Sequence, residues 1–180
     1  MPTRRLPIAL AVAVGFGCLT AGLVNLAEHP AARFGGYLLN AGWAWAGLSV
    51  LVGALVARPV LGAVTGWLAA GCALFAFDAT DAVVRGAPLV SALRADLSWW
   101  AVSLVLCPLL GLVGSQLRRP DRLGLSARLV VPAGAALEMV LRPPGGGLHP
   151  EALGVQVSVW AVAVLTAVLL LTRYRRSGRS

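Results

Sequence analysis

Four side chains could do chemistry in otherwise apolar surroundings: Asn40, Asp78, Asp81 and Glu138. An ionised or polar group in such a place is costly unless it is paired or hydrated, so its presence is a candidate functional feature. Carboxylates that converge at one end of a helical bundle can line a cation or proton path, because their oxygens replace the water the ion gives up. Local spacing gives two of them a plainer role. Asp81 with Arg85, and Glu138 with Arg142, stand four residues apart with the acid first, the favourable order for an ion pair along a helix. Asp78 has no basic residue at that spacing. Asn40 is expected to face the interior of a bundle, where an interhelical hydrogen bond would satisfy its amide.

Other chemistry is weakly represented. The chain contains no P-loop, no GxGxxG after a strand, no HExxH and no GxSxG, and no nucleophile, base and orienting group share a recognisable spacing. The expectation is a protein that is not an enzyme and needs no cofactor. His29 and His149 fall in polar connections, and Cys18, Cys72 and Cys107 lie singly in three apolar runs, without the close spacing of a metal site, so no metal is expected.

The elements that must position the four polar residues are membrane spans. The 180 residues are 58% apolar and only 12% charged, against about a quarter charged in soluble domains. Residues 97–117 are free of charge, open on Trp99 and Trp100 and close on Arg118 and Arg119, which marks both interfaces of one helical crossing. Counting outward from it predicts an all-α, polytopic bundle of six spans at about 8–27, 34–57, 60–83, 97–117, 124–141 and 155–172, in a single membrane domain. Residues 86–96 place Leu89, Val90, Leu93 and Leu97 on one face of a short helix suited to lying in the interface.

All fifteen basic residues are arginines, and their distribution sets the orientation. With both termini cytoplasmic, Arg4, Arg5, Arg58, Arg118, Arg119, Arg122, Arg128, Arg173, Arg175, Arg176 and Arg179 lie inside and only Arg33, Arg85, Arg94 and Arg142 outside. The same model puts every acid but Asp121 at the outer end. The net charge of +8 therefore reads as a positive-inside pattern rather than a nucleic-acid surface, and the chain is expected in the bacterial cytoplasmic membrane. Gly62 and Gly66 have the spacing of close helix packing, as do Gly111 and Gly114 at three residues, while Pro108 and Pro132 interrupt two spans and are expected to kink them.

Several stretches resemble a family of small multi-pass membrane proteins of unknown function from high-GC Gram-positive bacteria: LLNAGWAW at 38–45, FDATDAVVRG at 77–86, SWWAVSLVLCPLLGLVGSQLR at 98–118 and AGAALE at 133–138. The chain departs from that pattern at Cys107, where glycine precedes the proline, and at Ala41, where serine is usual. The resemblance implies a membrane location and gives weight to Asn40 and Glu138, and it carries no activity.

Two functions follow. One is a small permease-like or channel-like protein using the outer carboxylates. The other is a non-transporting scaffold or accessory subunit whose glycine faces bind a second copy or another membrane protein.

Overall fold

The computed structural model describes residues 5–56, 58–147 and 149–177. Arg4 and Arg179 of the two expected basic clusters lie outside the described residues. The described chain is all-helical: α1 (Arg5–Asn25), α2 (Pro30–Leu39), α3 (Gly42–Gly53), α4 (Pro59–Arg85), α5 (Leu89–Ala95), α6 (Leu97–Ser115), α7 (Arg122–Leu141) and α8 (Pro150–Ser177), with a 3₁₀ turn at Pro144–Gly147 before α8. Five of them, α1, α4, α6, α7 and α8, are long and apolar enough to cross a membrane. At about 1.5 Å per residue, the 19 residues of α6 extend roughly 28 Å, close to the thickness of a hydrocarbon core.

Burial is inverted relative to a soluble domain. The inner faces are built from small residues, among them Ala13, Ala69, Ala73 and Thr20, whereas Leu104, Val105, Val157 and Leu165 stand exposed. Leucine and valine outside and alanine and glycine inside is the pattern of helices that face lipid and approach one another closely. Buried hydroxyls are satisfied within their own helices: Thr20 donates to the Phe16 carbonyl at 2.8 Å and Ser115 to that of Leu112 at 2.6 Å.

Backbones approach closely at Gly111 of α6, which meets the backbone of Gly62 and Gly66 on α4 and of Gly53 on α3. A Cβ on Gly66 would come to 2.6 Å from the Gly111 Cα, so only glycine permits this spacing. Gly114 packs in the same way against the backbone of Val50. The four packing glycines named from sequence are thus spent inside one chain.

The second expected span is not one helix. Residues 34–57 divide into the end of α2 and all of α3, separated at Asn40 and Ala41, where Ala41 is extended with φ −77° and ψ 143°. The ten residues of α2 and twelve of α3 would extend about 15 and 18 Å, so neither crosses a bilayer alone. Pro108 and Pro132, by contrast, lie inside helices that stay continuous around them. The short helix α5 buries no residue, as a segment resting on one end of the bundle would.

Candidate functional site

The break between α2 and α3 creates the site. A helix N-terminus leaves its first N–H groups without intrahelical partners, and Ala41, at the N-cap of α3, has no side chain to accept them. Glu138, far along the chain on α7, does so instead: one carboxylate oxygen accepts from the Gly42 N–H at 2.8 Å, the other from the Trp43 N–H at 2.7 Å. The partial positive charge of the helix start offsets the carboxylate, which accounts for an acid at this depth. The expected ion pair with Arg142 does not form. Among the described residues the ion pairs are Arg33–Glu151, Arg85–Asp81 and Arg119–Asp121.

Asn40 ends α2 and sits beside this cap, at the break itself. Its side chain is exposed and makes no hydrogen bond among the described residues, so the interhelical bond expected for it is absent; the amide lines two cavities that meet at Asn40 and Glu138. One, of about 320 Å³, lies toward the α1–α2 and α7–α8 connections and is bordered by Arg33, Tyr37, Arg142 and Pro144. The other, of about 390 Å³, runs between α6 and α7 over α3 and is walled by Trp43, Trp45, Phe77 and Trp99. α3 packs against both α6 and α7, which barely touch each other, and the deeper cavity occupies that gap. Trp45 is fixed by edge-on contacts with Phe16 and Phe77, at centroid separations of 5.2 and 6.0 Å.

The two aspartates of α4 part company. Asp81 is held near the end of α4 by Arg85 at 2.8 Å and by the Asn25 amide of α1 at 2.9 Å, a compact polar lock between parallel helices. Asp78 is completely buried behind the cavity wall: one oxygen accepts from the Trp100 indole N–H at 2.9 Å, and the other has no donor. Beside it lies the carboxyl of Asp96, a residue not singled out from sequence. Asp96 occupies the N-cap of α6 without capping it and borders the cavity. The signal was available: an acid just ahead of Trp99 and Trp100, at the start of the most clearly marked span.

Of the residues expected to form a path, Asn40 and Glu138 thus share a cavity, Asp78 stands behind its wall through Asp96, and Asp81 belongs to a separate lock. Among the described residues, no group of three metal-ligating side chains comes together. Family models, characterised proteins and solved structures give no match to this chain.

Proposed function

We propose that the chain is a small permease-like or channel-like protein of the bacterial cytoplasmic membrane, with six crossings and both termini inside. In this reading α2, the break and α3 together make the second crossing, with a combined length of roughly 33 Å. The arginine distribution supports the orientation, and the family resemblance belongs to the same proposal.

One observation carries the reading. A helix broken at the junction of two cavities inside a helical bundle is a feature of transporter folds, whose half-helix N-termini face anionic groups; here Glu138 of the chain itself takes that place. Glu138 is the gate in this account. Its carboxylate ties α7 to α3 through the Gly42 and Trp43 N–H groups, at the junction of the two cavities. The scaffold reading loses the four glycines it was built on, because Gly62, Gly66, Gly111 and Gly114 are consumed within the chain, while Gly15, Gly22, Gly71 and Gly134 stay open.

The test is flux. Proteoliposomes loaded with a pH-sensitive dye should acidify faster than protein-free vesicles after an external acid step, and Glu138→Gln should lower the excess rate at least tenfold while the purified variant stays folded. Wild-type vesicles indistinguishable from empty ones for protons and for alkali cations would end the transport reading.

A further inference from the structure

We propose that the cleft between α6 and α7 binds a lipophilic organic ammonium ion, with its charge near Asp96 and Glu138 and its apolar body among Trp45, Trp99 and Phe77. This names a substrate class for the path proposed above and rests on that reading.

The lining has one sign of charge: Asp96 and Glu138 border the cavity, and no arginine or histidine does. Immediately behind, the fully buried Asp78 keeps one oxygen without a donor next to the Asp96 carboxyl. Two acids set side by side in a low-dielectric wall repel, and a cation at the cavity edge relieves both. Glu138 is already engaged by two N–H groups, but each carboxylate oxygen has a second lone pair to offer.

The remaining wall selects for an organic cation over a hydrated metal ion. Aromatic faces attract substituted ammonium groups through the ring quadrupole, and they supply none of the oxygen ligands that a small inorganic cation demands. A volume of about 390 Å³ lies within the range of small-molecule sites, roughly 300 to 1,000 Å³, at the end that fits one ring with its ammonium group. Trp99, Val102 and Leu106 are exposed along the α6 edge of the cleft, so a ligand dissolved in the bilayer has a lateral way in. A zwitterionic lipid headgroup fits less well, since its phosphate would find no cation in this lining.

The test uses the purified full chain in maltoside detergent, with phenyltrimethylammonium as probe and tert-butylbenzene as its uncharged isostere, followed by calorimetry and tryptophan fluorescence. Saturable binding of the cation is expected, with the isostere at least tenfold weaker. Asp96→Asn and Trp99→Ala should each weaken the cation at least tenfold, and Asp121→Asn, which removes the same charge at the opposite end, should change it less than twofold. Equal binding of the isostere, no saturable binding, wild-type affinity in both cavity variants, or equally strong competition by a phosphocholine detergent would overturn the assignment. Saturable binding without flux of protons or alkali cations would overturn the transport reading alone, and flux without binding would overturn this assignment alone.

Discussion

Glu138 on α7 accepts the backbone N–H of Trp43, 95 residues earlier in the chain, at 2.7 Å and so caps the start of α3. An N-cap is ordinarily a local device, a serine or aspartate at the residue before the first turn. Here the cap joins two elements and holds open the break on which both cavities depend.

Removing the carboxylate should therefore cost stability as well as geometry. Glu138→Ala is expected to destabilise the folded protein by about 1 to 2 kcal/mol, the value of an N-cap in a favourable partly buried setting. Thermal unfolding in detergent measures it. An unchanged midpoint would mean that the α3 N-terminus finds other acceptors.

The local alternative can be installed at Ala41. Ala41→Ser places a hydroxyl at the N-cap of α3 and should recover about 1 kcal/mol in the Glu138→Ala background, but much less in the wild type, where the N–H groups are already taken. Equal gains in both backgrounds would contradict the assigned cap.

The long helices were readable from the sequence because an apolar run of about twenty residues leaves few other structures, and the ends at Arg58, Arg118 and Arg119 are marked by charges that cannot enter hydrocarbon. The break was not. Residues 34–57 are apolar apart from Asn40 and Ser49, and the conspicuous breakers, Pro108 and Pro132, sit where neighbouring helices tolerate a lost backbone bond. Spacing along one helix revealed the Asp81–Arg85 contact, since both partners lie on α4. The same spacing misassigned Glu138, whose true partners belong to another segment and leave no local trace.

Close packing at Gly111 predicts intolerance to a single methyl group. Gly111→Ala should cost about 1 to 3 kcal/mol by overpacking, because its Cβ would strike the Gly62 carbonyl and approach the Gly66 Cα at 2.9 Å. Gly134→Ala, with open space around the new Cβ, should be neutral or slightly stabilising. Equal effects of the two changes would contradict the glycine-mediated α4–α6 contact.

The start of α7 should respond to acid. Asp121 accepts from the Gly124 N–H at 3.0 Å and pairs with Arg119 at 2.7 Å, and these contacts, Arg119 first, hold its carboxyl below the ordinary carboxylate range. A depressed folded-state value means that the stabilisation is present above the ordinary range and fades as pH falls through the folded-state value. Asp121→Asn should thus lower the melting temperature slightly at neutral pH and not at strongly acidic pH. A difference that persists unchanged into acid would contradict the assigned contacts.

The most direct measurement is the accessibility of the break. In a background with Cys18, Cys72 and Cys107 replaced by alanine, Asn40→Cys in sealed, oriented vesicles should react with a membrane-impermeant thiol reagent from the outer side, and Glu138→Gln should change that rate at least threefold. Such labelling would place water at Asn40 under the control of Glu138. An Asn40→Cys thiol that reacts only with membrane-permeant reagents, at a rate indifferent to Glu138→Gln, would contradict a hydrated outward path through the break.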